Sequence, residues 1–405
     1  MPTETPTVPR GALDGVRILD IATMAAGPWA ATYLADWGAD VIKVEHPRDG
    51  DHVRRWGMSR NDVPLFWKSI SRNKRHITVN MSHPEGRQVI LDLVRHCDAV
   101  VENFRPGVLE RWGLGYDDLK TAKPDIILLR TTAFGQDGPY AKRPGFGTLA
   151  EAMSGLAHLT GEPDGPPTLA AYPLADGVAG LAGAMALLAA LYHRDALGGG
   201  GQVIDNAISE ANLRLIEYMV LEHEQLGVVP QRQGNRLPGL APRNAYPTRD
   251  GGYIAISGGT QSIVQRLFNA LGRPELIDDP RFATAAARVA NVDALDAVIG
   301  GWIVERTTDQ VMEVFDREEV AGTPVADIAQ VFSNQHYVAR QAIIEVADDD
   351  FGTVKTLAPH PRLSATPGAV RRMGGAKGRD LDEVLTGVAG YDAGRIAGLK
   401  AAGAI

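Results

Sequence analysis

The sequence predicts an α/β protein: a doubly wound domain on a parallel sheet, with a smaller α+β domain. Three observations carry this. Short apolar runs alternate with helical patterns through the first part of the chain. These runs are continuously apolar, as at Ile126, Ile127, Leu128 and Leu129, which marks strands buried on both faces. The pattern then changes to a Gly- and Pro-rich connection followed by a hairpin near residue 250.

Residues 16–21 read as the first strand, followed by a small-residue turn and a helix over 28–37. Residues 41–45 are the next strand. The stretch 83–96 is a helix, with Val89, Ile90, Leu93 and Val94 on one face. Residues 99–102 and 125–130 are further strands. The run 174–192, rich in Gly and Ala and interrupted by Asp176, reads as a buried core helix. A membrane span would need ~20 mainly apolar residues without an ionisable group. Residues 210–226 form a long helix and 227–242 a linker. Residues 244–248 and 253–257 form a hairpin, and helices follow over 261–271 and 291–317. More β material is expected at 323–328 and 345–355, then helices at 381–385 and 393–402.

The 405 residues are 44% hydrophobic and 22% charged, an ordinary globular composition. A net charge of −8 argues against general affinity for nucleic acid or membrane. The single cysteine, Cys97, forms no intrachain disulfide, which favours a reducing, cytoplasmic setting and a core-packing role. The Pro- and Thr-rich residues 1–10 lack an apolar signal core and read as a disordered leader. The ten histidines show no metal-ligand spacing. No G-x-G-x-x-G, P-loop or G-x-S-x-G motif occurs.

Two features point to chemistry. Between residues 42 and 75 nine Lys/Arg face four Asp/Glu, a basic stretch in an acidic protein, densest at Arg72, Asn73, Lys74 and Arg75. Asn103, Phe104, Arg105 and Arg111 add a second basic cluster. Both are expected on loops after separate strands, where open α/β sheets bind ligands, and guanidinium forks suit a phosphorylated one. The second feature is Asp176 at the head of its apolar helix. The residue is expected to cap the helix and can at the same time be a carboxylate nucleophile at its positive end.

In sequence the chain resembles the class III (family III) CoA-transferases, the group holding formyl-CoA and carnitine CoA-transferases and the related α-methylacyl-CoA racemases. The matching segments run nearly end to end. They include Ala26-Gly27-Pro28, Gly38-Ala39-Asp40-Val41, Asn73-Lys74-Arg75, Glu102-Asn103-Phe104-Arg105-Pro106-Gly107, Gly135-Gln136-Asp137-Gly138-Pro139-Tyr140, the Asp176 stretch and Arg362-Leu363-Ser364.

The resemblance implies a Rossmann-like large domain over 11–220, completed by 330–405, with a small α+β domain over 225–325, in an interlocked homodimer. It implies that Asp176 is the nucleophile. Met24, Ala25, Arg72, Asn73, Lys74, Arg75, Asn103, Phe104, Arg105 and Arg111 match CoA-contacting regions. No metal or permanent cofactor is implied; coenzyme A enters as acyl-CoA substrate, beside a small carboxylic acid. Asp176 would form a mixed anhydride with the acyl group and then an aspartyl-CoA thioester.

The chain departs from its relatives at Phe146, where the racemase branch carries histidine, and at Gly147, where some formyl-CoA transferases carry glutamate. The first departure favours transfer over two-base racemisation. The alternatives are a racemase-type isomerase and a non-catalytic acyl-CoA-binding protein. Arg143, Arg236 and Arg243 are candidates for recognising a second carboxylate on the acid.

Overall fold

Six parallel strands form the main sheet: β1 (Arg17–Asp20), β2 (Asp40–Glu45), β3 (Lys74–Thr78), β4 (Ala99–Glu102), β5 (Ile127–Thr132) and β6 (Val203–Ala207). Their order is β3-β2-β1-β4-β5-β6. This is the doubly wound order, with its switch point between β1 and β4. The computed structural model describes residues 11–405, so the leader expected at 1–10 lies outside the described residues.

Strand periodicity sends alternate residues to opposite layers. Leu19, Ile42, Val100 and Leu128 face helix α2, with Val89, Ile90 and Leu93. Residues Leu381, Val384, Leu385, Ile396 and Leu399 of the C-terminal segment complete that layer. Ile18, Val41, Val101, Ile127 and Leu129 face the opposite layer, formed by helices α1 and α4. Here α1 is Ala26–Asp36, α2 is Pro84–Val94, α3 is Gly147–Met153 and α4 is Leu174–Leu197.

Glycines let α4 lie close on α1 and the sheet. A Cβ at Gly180 would sit 2.8 Å from Trp29 Cβ, and one at Gly183 3.0 Å from Leu129 Cδ2. The expected buried core helix is buried on this face only. Leu181, Met185 and Tyr192 on its other face are more than half exposed. By length and composition alone α4 could cross a membrane.

Strands β3 and β6 do not stand out in the sequence. The β3 segment Lys-Arg-His-Ile-Thr carries three basic residues, yet Lys74 and His76 are fully buried. The C-terminal segment covers this edge strand: the His76 N–H donates to Asp380 Oδ2 at 2.7 Å, and the Asp380 N–H returns to His76 O at 2.9 Å.

The chain divides into two units. The first holds the described residues up to Leu156, Leu169–Gly227 and Ala339–Ile405; the second holds Ala157–Thr168 and Val228–Val338. Sequence reasoning did not place 157–168 with the second unit. Its backbone explains the membership: Gly234 N–H donates to Gly161 O at 3.0 Å and Arg232 to His158 O at 2.8 Å.

The second unit contains an antiparallel sheet of β7 (Arg243–Pro247), β8 (Tyr253–Ser257) and β9 (Gly322–Pro324), with β8 central. Helices Gln261–Ala270, Val292–Ile303 and Thr308–Arg317 pack Phe268, Leu295, Ile299 and Phe315 against Ile254 and Ile256. The single helix expected over 291–317 breaks because Thr307 caps a new one, in a capping box with Gln310. Likewise 210–226 splits into Ile208–Leu213, a short 3-10 turn and Glu217–Leu226. Of 323–328 only the start is strand, and Ile328 opens a helix. Within the first unit, β10 (Ile343–Asp348) and β11 (Gly352–Leu357) pair as a hairpin.

Candidate active site

A cavity of about 650 Å³ lies within the first unit, at the C-terminal ends of β1, β4 and β5. Its lining includes the turn after β1 (Thr23, Met24, Ala25), Asn103 and Arg105 after β4, Thr132 on β5, Gly147 of α3 and Asp176 of α4. This is the switch-point crevice of a doubly wound sheet, and the volume suits a small-molecule site.

The turn after β1 is built from below. Lys43 and Lys74 are fully buried beside Asp20 and Asp51. Lys74 Nζ lies 2.8 Å from Asp20 Oδ2 and donates to Pro28 O at 2.7 Å. Lys43 lies 3.0 Å from Asp51 Oδ2 and donates to Ala22 O. The two carboxylates then hold backbone: Ala22 N–H on Asp20 Oδ1 and Met24 N–H on Asp51 Oδ1, each at 3.1 Å. Burial pushes the Lys74 ammonium below its ordinary value, against the pull of Asp20. Asn103 closes the turn from the β4 side, accepting from Thr23 N–H at 2.8 Å and donating to Thr23 O at 2.6 Å. Met24 is thereby held at φ 64°, a left-handed conformation uncommon for a non-glycine residue.

Asp176 is the third residue of α4, whose N-cap is Pro173, and it makes no side-chain capping bond. It is therefore not the N-cap. Its carboxylate lies against Gly147, the first residue of α3. A Cβ there would overlap Asp176 Oδ2 and sit 2.8 Å from Cγ. Two buried asparagines fix the first turns of α4: Asn212 Nδ2 donates to Ala175 O at 3.2 Å and Asn206 Nδ2 to Ala179 O at 2.9 Å.

Among the described residues no hydrogen bond or ion pair engages the Asp176 carboxylate. Burial pushes its pKa up to about 6. The group is still largely ionised at neutral pH. A carboxylate stripped of partners in this way is a better nucleophile than a solvated one.

Five of the predicted site residues thus meet in one cavity: Asp176, Met24, Ala25, Asn103 and Arg105. Phe104 instead lines a second cavity of about 240 Å³ with Trp112, His46 and His52, and Thr23 borders both. Arg111 is exposed and lines neither.

The stretch Arg72–Arg75 belongs to the framework. Lys74 is buried as described. Arg72 pairs with Asp36 at 2.5 Å, Arg75 with Asp40 at 2.5 Å, and Asn73 donates to Asp36 Oδ1 at 2.9 Å. Arg75 opens β3 with its guanidinium on Asp40, the first residue of β2, at the end of the sheet opposite the ligand crevice, whereas the Lys74 ammonium reaches Asp20 beneath the turn after β1 and so supports the crevice without lining it. The apparent basic excess arises because the acidic partners are distant in sequence. Cys97 is fully buried, its thiol pushed up to about 12 by desolvation, as expected of a core residue.

Sequence reasoning took Gly147 only as a departure from relatives; its role as the seat of the Asp176 carboxylate needs the tertiary contact. It passed over Glu151, one turn along α3, whose Oε1 accepts from Ala170 N–H at 2.8 Å in the cavity wall. It also passed over Thr132, whose buried hydroxyl finds no partner.

A parallel sheet that holds an unpartnered carboxylate at its switch point defines an enzyme-like α/β protein, and the comparisons specify the class. The model of CoA-transferase family III matches residues 13–380, so the chain belongs to that family. The chain is 42% identical over 390 residues to succinyl-CoA–D-citramalate CoA-transferase of Chloroflexus aurantiacus, covering 96% of this chain and 97% of the relative. It is 33% identical to succinate–glutarate CoA-transferase of Agrobacterium fabrum, over 92% and 94% of the two chains. A CaiB/BaiF family protein from Brucella suis superimposes with a TM-score of 0.83 at 32% identity, covering 94% of this chain and all of that one. The protein is an acyl-CoA:carboxylate CoA-transferase.

Proposed function

We propose that Asp176 carries the acyl group and then CoA between a donor thioester and an acceptor acid. The observation behind this is the Asp176 carboxylate seated on Gly147 in the switch-point cavity, with no other partner. An Asp176 oxygen attacks the thioester carbonyl; the C–S bond breaks and CoA leaves as thiolate. The resulting mixed anhydride is attacked at Asp176 Cγ by the thiolate, which releases the donor carboxylate and leaves an aspartyl-CoA thioester. The acceptor carboxylate attacks Cγ, freeing the thiolate. The thiolate then takes the acceptor acyl group and restores Asp176. Each step exchanges one acyl bond for another and the thioester energy is conserved.

Thr23 lines both cavities, which supports a CoA that runs from one to the other. The acyl end lies by Asp176, Arg105 accompanies the phosphates, and the nucleotide reaches the cavity of Phe104 and Trp112. Similarity to the citramalate and glutarate enzymes favours dicarboxylic acids, with succinyl-CoA as donor. The exposed Leu181, Met185 and Tyr192 of α4 support burial in a homodimer.

The reading is tested by Asp176→Ala, which should abolish CoA exchange while retaining acyl-CoA binding. Hydroxylamine added during turnover should yield a hydroxamate on the peptide containing residue 176. Full exchange by Asp176→Ala would sink the mechanism.

A further inference from the structure

Three arginines were candidates for recognising a second carboxylate on the acid, and the structure separates them. Arg236 is already paired, 2.8 Å from Asp293 and 2.7 Å from Asp296. Arg243 donates to Asn235 O at 2.8 Å in a groove of the second unit. Arg143 lines the cavity that holds Asp176.

The setting of Arg143 is specific. Its guanidinium stacks on Tyr140, 3.7 Å from the ring centroid. Tyr140 is held edge-on by Phe134 at 6.1 Å. A backbone turn closes the arrangement, with Arg143 N–H donating to Tyr140 O at 2.8 Å. Two residues on, Gly145 lies so close to Ala133 and the Phe134 ring that no Cβ fits. The segment therefore runs tightly from Arg143 to Gly147, four residues later, where the Asp176 carboxylate rests.

Stacking occupies the face of a guanidinium and leaves its in-plane N–H fork free, which is the geometry that grips a carboxylate bidentately. Among the described residues no carboxylate pairs with Arg143. Arg105, the other arginine in the lining, follows β4 two residues after Asn103 of the Thr23–Asn103 clasp.

We propose that Arg143, preorganised on the Phe134–Tyr140 platform, binds the carboxylate of the acyl chain distal to the thioester and so selects dicarboxylic acids. This rests on the reading that acyl-CoA reacts at Asp176, and it names the specificity residue of that site. A charge-assisted bidentate contact distinguishes succinyl from butyryl, which has a methyl in place of the distal carboxylate.

The test uses full-length protein carrying Asp176→Asn, so that esters bind without turnover. Dissociation constants are measured for succinyl-CoA, butyryl-CoA and free CoA, with and without Arg143→Leu. The expected result is an about 10- to 100-fold loss for succinyl-CoA alone, partly restored by Arg143→Lys. An equal loss for all three ligands would make Arg143 a contact to CoA itself, and no loss for any would make it a solvated surface residue. Either outcome overturns the proposal while leaving the role of Asp176 intact. Exchange by the Asp176 variant would instead overturn the reading beneath it.

Discussion

The Asp176 carboxylate occupies the space that a side chain at Gly147 would fill. A Cβ on residue 147 would overlap Asp176 Oδ2 and lie 3.1 Å from Oδ1. The contact joins the first residue of one helix to the third residue of another, and it sets where the carboxylate oxygens point. A nucleophile misplaced by about 1 Å can lose roughly 100-fold in rate.

Gly147→Ala should therefore lower kcat for CoA exchange at least ~100-fold with the fold retained. Gly301→Ala is the control: nothing lies within 4 Å of its Cβ position, in a helix of the second unit. It should keep full activity and gain up to ~1 kcal/mol. Steady-state kinetics with thermal unfolding separates the two. Wild-type kcat in Gly147→Ala would mean the close approach has no catalytic consequence.

The pH dependence follows from burial. With a pKa of about 6, Asp176 is protonated and inert below that value, so kcat/KM for the donor ester should rise through pH 6 and level off above it. For stability the sign is opposite. The folded state holds the Asp176 proton more tightly than the unfolded chain, so its contribution falls as pH rises from about 3.8 through about 6. Asp176→Asn should be more stable than wild type at pH 7.5, by up to roughly 3 kcal/mol, with the gap narrowing toward pH 4. Denaturant titrations at several pH values would show it. A gap independent of pH would contradict the assignment.

Lys74 gives a test between framework and ligand contact. Lys74→Met removes the partner 2.8 Å from the buried Asp20 carboxylate. The loss of stability should be about 3–5 kcal/mol, with part regained in the Lys74→Met, Asp20→Asn double variant. A contact to CoA would instead raise KM with stability unchanged.

Much of the architecture was legible in sequence. The apolar run at Ile126–Leu129 announces a doubly buried strand, and the alternation of such runs with helices announces parallel pairing. Asp176 could be singled out because an ionisable group in an apolar helix needs a reason. The run Arg72–Arg75 misled because a local count of charge ignores partners far along the chain. Lys74 meets Asp20 from 54 residues away, and Lys68 meets Asp350 from 282 away. The same blindness hid β3, whose basic residues look exposed until their counter-charges and the C-terminal segment are placed around them.

By itself the sequence determined the α/β class, the family resemblance and, chiefly through that resemblance, the candidate carboxylate Asp176. The class is written in local periodicity, and the resemblance in short motifs that keep their order along the chain. Only the tertiary structure decided which basic groups serve the fold and which face the cavity. It also decided that Asp176 sits inside its helix rather than capping it, and that Gly147 gives it room. These depend on contacts between residues remote in the chain. Burial and pairing, not residue type, set the charge, reach and reactivity of a side chain there.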